Sequence, residues 1–281
     1  MPTPADVVEI LSKRQEWLPH LCGQALTKPE LCSATGVSWS TIDRGVAELE
    51  RVELVERTTE GFRLTAFGGL LHRLQRSYTA TVESIAEAQS MQTPIPTGKF
   101  GELVMFRGGD VVLPDPHMPE KPTRTILTLL TEAEQTYGFT PVIHDQYVTT
   151  SYERVMLHDL EFEFLITPEL FDGLLDTYAE WLLEAVKRDR FELYHRPTIP
   201  PFGLTIFEPV ADENPVVMMA LYAENGLSAV VTNDSIQAVG WASELYRRYR
   251  NDGSAVTTEL LKKRLSEQSE SNDDATENEK A

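Results

Sequence analysis

The feature that most constrains this chain is a run of helix punctuation and a hairpin between Thr27 and Thr65. Thr27 precedes Lys28-Pro29-Glu30, so a capping residue, a proline just inside a helix and a glutamate three residues on form a capping box. A helix is therefore predicted from residue 28, running through Leu31 and Ala34 and stopping at Gly36, the residue type that enters a left-handed turn most easily. Ser38 stands where the next helix is capped, and Ile42, Val46 and Leu49 follow at the spacing of one buried helical face. Leu54-Val55-Glu56-Arg57, the turn Thr58-Thr59-Glu60-Gly61 and Phe62-Arg63-Leu64-Thr65 then read as two short strands around a glycine-bearing turn. Each signal alone is weak. In this order they predict a winged helix-turn-helix over residues 1–66.

The second of these helices would offer Trp39, Ser40, Asp43, Arg44 and Ala47 to solvent, with Thr41 at the edge. Short polar groups at a helix N-terminus suit the major groove of double-stranded DNA, where the helix end meets phosphate and side chains reach base edges. Arg44 is the candidate base contact because its planar fork matches a guanine edge. The competing reading is that Arg44 pairs with Glu48 one turn on. Thr27, Lys28, Ser38, Trp39, Ser40 and Thr41 complete the candidate DNA-binding surface, with Arg57 and Arg63 flanking the hairpin tip.

Charge bears directly on that expectation. The chain of 281 residues has a formal net charge of −19, which is unfavourable for a nucleic-acid binder. Nine basic and ten acidic residues up to Arg76 leave that segment at −1, so −18 falls on the remainder. An acidic surface keeps a protein hydrated where salt screens charge strongly, which points to a halophilic cytoplasm. The alternative is an ordinary acidic protein with an acidic tail. No run approaches the roughly 18 apolar residues of a membrane span, and the N-terminus lacks a signal-peptide layout, so a cytoplasmic protein is expected. Cys22 and Cys32 fall among apolar helical positions and are read as buried thiols. No His and Cys pairs repeat at metal-ligand spacing, and no metal or cofactor is expected.

With 41% hydrophobic residues the chain is long enough for about two cores. Residues 67–97 read as a long connecting helix followed by the linker Thr93-Pro94-Ile95-Pro96-Thr97-Gly98. On the helix, Leu71, Leu74, Tyr78, Val82 and Ile85 recur every three or four residues. Such a seam packs on its own chain or on a second copy. The second choice gives a homodimer that sets two recognition helices on one duplex.

Residues 98–250 alternate strand and helix patterns, as in an α/β domain, giving an α+β chain overall. Glu102 to Phe106, Asp110 to Leu113, Phe162 to Ile166, Phe191 to His195, Gly203 to Phe207, Val216 to Leu221 and Leu227 to Val231 read as strands. Thr125 to Tyr137 and Pro168 to Lys187 read as helices, and Asp234 is placed to cap a last one carrying Val239, Trp241 and Leu245. Residues 251–281 read as an acidic tail, opening with a short helix from Thr257 to Leu265 and otherwise too polar to order itself.

Catalytic signatures are not visible in the second segment. His117, His144, His158 and His195 each lack the following residues of a His-x-Lys phosphodiesterase pattern, and neither a phosphate-cradling loop nor a nucleophile elbow occurs. Asp115, His117, Arg124 and Asn233 are the polar ligand-binding candidates, at strand ends or helix starts where α/β sheets open clefts. Each has a structural alternative: a turn around His117, a helix cap at Asn233, a surface charge at Arg124.

The runs Leu26-Thr27-Lys28, Glu30-Leu31, Thr35-Gly36-Val37-Ser38, Ser40-Thr41-Ile42, Leu49-Glu50 and Leu54-Val55-Glu56-Arg57 together resemble archaeal winged-helix regulators. Asp110-Val111-Val112-Leu113, Pro116-His117, Pro119, Pro201-Phe202-Gly203-Leu204, Asn233-Asp234 and Trp241-Ala242 resemble the middle domain of the methanogenesis regulatory protein family, the Fil-type regulators. The resemblance spans residues 7 to 250 and implies a DNA-reading module joined to an α/β sensor domain for a small-molecule effector. The expected function is a sequence-specific transcription regulator. A DNA-tethered enzyme and a ligand-independent architectural DNA-binding protein are the alternatives.

Overall fold

In a computed structural model of the chain, residues 2–90, 103–209, 214–224 and 226–267 are described. The chain forms two compact units, Met1–Ala80 and Thr81–Ala281. The linker expected at 93–98 and the tail beyond residue 267 lie outside the described residues.

The first unit opens with α1 (Pro4–Lys13), whose Thr3 cap exchanges hydrogen bonds with Asp6, and a 3-10 turn at Leu18–Leu21. Helices α2 (Lys28–Thr35) and α3 (Trp39–Arg51) follow, joined through Gly36 at φ 70°. The glycine makes this turn possible because a side chain is strained in the left-handed region. Strands β1 (Val55–Thr58) and β2 (Gly61–Leu64) pair antiparallel, Val55 opposite Leu64 and Thr58 opposite Gly61. Leu26 joins the other edge of β2 by a single bridge, exchanging both backbone hydrogen bonds with Phe62 at 2.8 Å. The expected hairpin is thus extended by one bridging residue.

One core holds the unit: Trp17, Leu18, Leu31, Ile42, Leu49 and Phe62 are all buried in it. α3 presses so close to the α1 end that a Cβ on Gly45 would stand 2.1 Å from the Trp17 ring. Cys22 is exposed and Cys32 half-buried, against the expectation of two buried thiols. The apolar neighbours of Cys22 take the core positions, and the thiol faces out.

Helix α4 (Ala66–Ser90) follows, and the division between the two units falls within it. The second unit continues with α5 (Leu103–Phe106), β3 (Asp110–Val112), α6 (Lys121–Glu132), β4 (Ala133–Phe139), α7 (Asp145–Leu157), β5 (Glu161–Ile166), α8 (Pro168–Ala185) and β6 (Phe191–His195). After these come β7 (Gly203–Pro209), β8 (Val216–Ala223), β9 (Gly226–Asn233), α9 (Ile236–Arg250), β10 (Ser254–Ala255) and α10, residues 258–267.

Eight strands form one sheet in the order β10-β6-β5-β4-β7-β8-β9-β3. β4, β5 and β6 run parallel, joined by α7 and α8, whereas β7, β8, β9 and β3 pair antiparallel. Alternation along each strand divides the core. Ile206, Val217, Met219 and Val231 pack with α5 and α9 on one face, and Phe207, Met218 and Val230 pack under α6 and α7 on the other. The second unit is an α/β sandwich with helices on both faces.

Four expectations for this unit need correction. Residues 103–106 are a helical turn rather than the end of a strand; Met105 and Phe106 are fully buried, and a short buried apolar run has no period that separates helix from strand. The helix expected from Thr125 to Tyr137 ends at Glu132, and residues 133–139 form the central strand β4. There tertiary pairing on both sides overrides the helical preference of Glu134 and Gln135. The last helix is capped by the Ser235 hydroxyl, which accepts from the Ala238 N–H, and not by Asp234. Residues 251–267, expected in the tail, supply an edge strand beside β6, and the helix expected there at 257–265 is packed rather than free, with Leu261 fully buried beside Leu174 and Leu182. Helix α7 had no sequence signal strong enough to place it: of its 13 residues only Val155 is buried.

Candidate nucleic-acid interface

The exposed face of α3 is the one the helical period indicates: Ser38, Trp39, Ser40, Asp43, Arg44 and Ala47 are exposed, with Thr41 partly so. Trp39 is 52% exposed, with its ring presented to solvent beside the polar N-terminal turn. Ser38 occupies the N-cap position, where its carbonyl accepts the Thr41 and Ile42 N–H groups. Its hydroxyl, expected to cap the backbone, instead meets the hydroxyls of Ser40 and Thr41 at 3.2 and 2.9 Å. Three hydroxyls thus cluster where the helix N-terminus carries its partial positive charge.

Arg44 is exposed and enters no ion pair among the described residues. Its possible partner Glu48 is already held by the Lys13 ammonium and the Arg14 guanidinium, each at 2.7 Å. Arg14 is largely buried and stacks over the Trp17 ring at 4.7 Å, so Glu48 neutralises a charge that the core needs answered. The hydrogen bond from Lys13 does most to hold the Glu48 carboxyl below the usual carboxylate range. The pairing of Arg44 with Glu48 is therefore displaced by a longer-range network that no local pattern reveals.

Other candidates are less free. The Glu30 carboxylate accepts the Thr27 hydroxyl at 2.7 Å and the Thr27 N–H at 2.8 Å, and those bonds lower the Glu30 pKa. Lys28 pairs with Asp43, which ties α2 to α3 and takes up the charge expected for phosphate. In the wing, Arg63 pairs with Glu56 across the strands at 2.7 Å, whereas Arg57 is exposed and lies over the Phe62 ring at 5.1 Å. Of the candidates, Arg44 and the hydroxyl cluster on α3 and Arg57 on the wing enter no ion pair among the described residues.

The four ligand candidates of the second unit do not converge. Asp115 accepts the His117 N–H at 2.7 Å in a tight turn closed by Met118, with both side chains exposed. Arg124 pairs with Glu120 on the surface of α6. Asn233 is only 3% exposed and saturated: its amide donates to the carbonyls of Val104, Met105 and Arg107, and its carbonyl accepts the Ser235 N–H at 2.8 Å. It fastens α5 to the start of α9, which corrects its assignment as a ligand contact. None of the four lines either of two cavities among the described residues, beneath α7 and beneath α8.

Among the described residues no three His, Cys, Asp or Glu side chains gather as a metal site, and no helix is long and apolar enough to cross a membrane. No curated protein is matched by the chain. Among solved structures, TrmBL2, described as an archaeal chromatin protein, aligns over 90% of this chain and all of its own at 15% identity and a TM-score of 0.41. NucT from Helicobacter pylori and Nuc, a phospholipase D family member from Salmonella typhimurium, each align over 53% of this chain and 98% and 99% of their own. Their identities are 10% and 11%, with TM-scores of 0.39 and 0.42. Overlaps this loose carry no functional argument. Family models discriminate better: residues 5–87 match the HVO_A0261 N-terminal domain, and residues 119–252 match the middle domain of the methanogenesis regulatory protein FilR1. The chain thus carries, in sequence order, an HVO_A0261-type N-terminal domain and a FilR1-type middle domain, which together identify an archaeal transcriptional regulator.

Proposed function

We propose that this protein is a sequence-specific, dimeric DNA-binding regulator whose α/β unit senses a small metabolite and carries out no catalysis. The observation that carries the DNA reading is the face of α3: a polar N-terminal turn, an exposed Trp39 and an Arg44 whose intramolecular partner is taken by Lys13 and Arg14. Because the first segment is close to neutral, general attraction to phosphate is weak and base contacts carry much of the discrimination.

Support for a dimer comes from α4. Phe67, Leu70, Leu74, Tyr78 and Val82, spaced by three or four residues, are 45–68% exposed and make one apolar stripe. Two of the five seam residues named from sequence do other work: Leu71 packs on the core of the first unit, and Ile85 on that of the second. A second copy of α4 is the occupant proposed for the stripe. The acidic surface fits a salt-rich cytoplasm, in which the regulator would meet its DNA.

Footprinting on genomic promoters tests the reading. Discrete protected sites with two-fold symmetry are expected; uniform protection along any duplex would replace it with architectural binding. Turnover of a metabolite by the purified chain would refute the non-catalytic assignment.

A further inference from the structure

Beneath α7 and α8 the second unit is incompletely filled. Two adjoining cavities, each of about 70 Å³, lie between these helices, α6 and the sheet, and share Ile143, Ser151, Phe162 and Phe164 as walls. Each is several times the roughly 10–15 Å³ that one water needs. The first is floored by alternate residues of β4, β7 and β8, Thr136, Thr205 and Ala220 among them. The second runs along α8 past Tyr178 and Trp181.

The contrast with the other face of the same sheet is direct. On β5, Leu165 is fully buried toward α9, while its neighbours Phe162 and Phe164 are only half-buried beneath α7. The rim formed by residues 140–143 and α7 is likewise half-buried, which gives the cavities an entrance.

Three features define what such a space accepts. No charged side chain lines either cavity, so an ion would lose its hydration without gaining a partner. The walls are aromatic: Phe162 stacks on Phe164 and Phe191 at 4.6 and 5.3 Å, and Tyr152 stacks on Trp181 at 4.6 Å, a lining that suits a ring-bearing ligand.

The third feature is a sparse set of hydroxyls, those of Tyr147, Ser151 and Thr205 among them. The Tyr147 hydroxyl is buried and meets no partner in good hydrogen-bonding geometry, although the Thr123 side chain lies close enough to offset part of the rise that burial gives its pKa. The Tyr222 hydroxyl at the first cavity's wall, in contrast, meets Thr140 at 3.2 Å. Buried polar groups in native proteins are nearly always paired, so a lone one at a cavity wall marks the place of a missing partner.

We propose that these joined cavities bind an uncharged, ring-bearing and largely apolar molecule that presents one hydroxyl or carbonyl to Tyr147. The proposal rests on the sensor reading and gives it a place and a ligand class. It also moves the site away from Asp115, His117, Arg124 and Asn233.

Helix α7 is suited to respond. It buries only Val155, and its first residue, Asp145, accepts the Tyr178 hydroxyl at 2.8 Å. Tyr178 is the residue at which α8 is kinked, with φ −127° and ψ 26°.

The test uses the full chain and 2-naphthol, two fused rings bearing one hydroxyl, with 2-naphthoate as its charged counterpart near neutral pH. Titration calorimetry should show saturable naphthol binding, at least tenfold weaker for naphthoate. Ser151→Leu, which fills the shared wall, should abolish binding. Tyr147→Phe, which keeps the ring and removes the hydroxyl, should weaken it about tenfold without lowering the melting temperature. Naphthol binding left unchanged by both variants, or absent in the wild type, overturns the site.

DNA affinity measured with and without naphthol separates this site from the sensor reading. Binding at the cavity with unchanged DNA affinity keeps the site and removes the sensor role. A metabolite that shifts DNA affinity equally in wild type and Ser151→Leu keeps the sensor role and overturns the site.

Discussion

Two residues one helical turn apart on α3, Arg44 and Glu48, have opposite tasks, and a pair of variants separates them. Arg44→Ala removes a side chain with no ion pair among the described residues, so unfolding free energy should stay within about 0.5 kcal/mol of wild type. At a cognate site the same variant should lose about 1–3 kcal/mol of binding if the guanidinium reads a base. Equal affinity for every sequence in both proteins would remove that role. Glu48→Ala leaves the largely buried Arg14 unanswered, and denaturant titration should show a loss of about 1–3 kcal/mol. The exposed face of α3 was legible from the 3.6-residue period. That Arg44 is unpaired was not, because Lys13 and Arg14 reach Glu48 across more than thirty residues of chain.

Among the elements, α2, α3 and the wing lie close to where the capping box, Gly36 and the turn before Phe62 indicated, because those signals act within a few residues. β4 and α7 show the opposite case. The strand exists because β5 and β7 hydrogen-bond to it from either side, and the helix because it bridges parallel strands, and neither cause lies in the segment itself. α4 bears the prediction of this scale. Leu74→Glu combined with Tyr78→Glu puts charge on the exposed stripe, and sedimentation should then report a monomer with unchanged helix content. A wild-type protein that sediments as a monomer at micromolar concentration would contradict the dimer.

For the whole molecule, acid stability and salt stability follow from its charges. Burial holds the His72 imidazole below its ordinary value of 6.5, and burial, then the Arg264 charge, lowers that of His195. The unfolded chain therefore binds more protons as pH falls through 6.5. This contribution is complete above that pH and is lost on the way down to the depressed folded values. The carboxylates of Asp6, Glu30 and Glu48 are lowered by their hydrogen bonds, so they act in the same direction at lower pH, below ordinary values of 3.8 to 4.5. Urea titrations should show stability falling from pH 7 to 5. His72→Leu should flatten the decline; an identical slope in that variant would assign it elsewhere. Net charge gives the second expectation. Raising KCl from about 0.1 M to about 1 M shortens the screening length from about 10 Å to about 3 Å. With −19 charges repelling one another, the melting temperature should rise. A melting temperature independent of salt would speak against the halophilic reading.

Taken alone, the order of residues determined what acts over short range: the turn at Gly36, the buried and exposed faces of α3, the wing and, of the stripe on α4, Leu74, Tyr78 and Val82 but not Phe67 and Leu70. Only the tertiary structure decided which charges are spent and where space is left. Glu48 is claimed by Arg14, Lys28 by Asp43 and Asn233 by three carbonyls, while the under-filled space beneath α7 and α8 gathers residues from β4, β5, β6, β7, β8 and three helices. Periodicity reports which side of an element is buried. It cannot report how well the far side of the core fills it, because that depends on volumes brought together from distant parts of the chain.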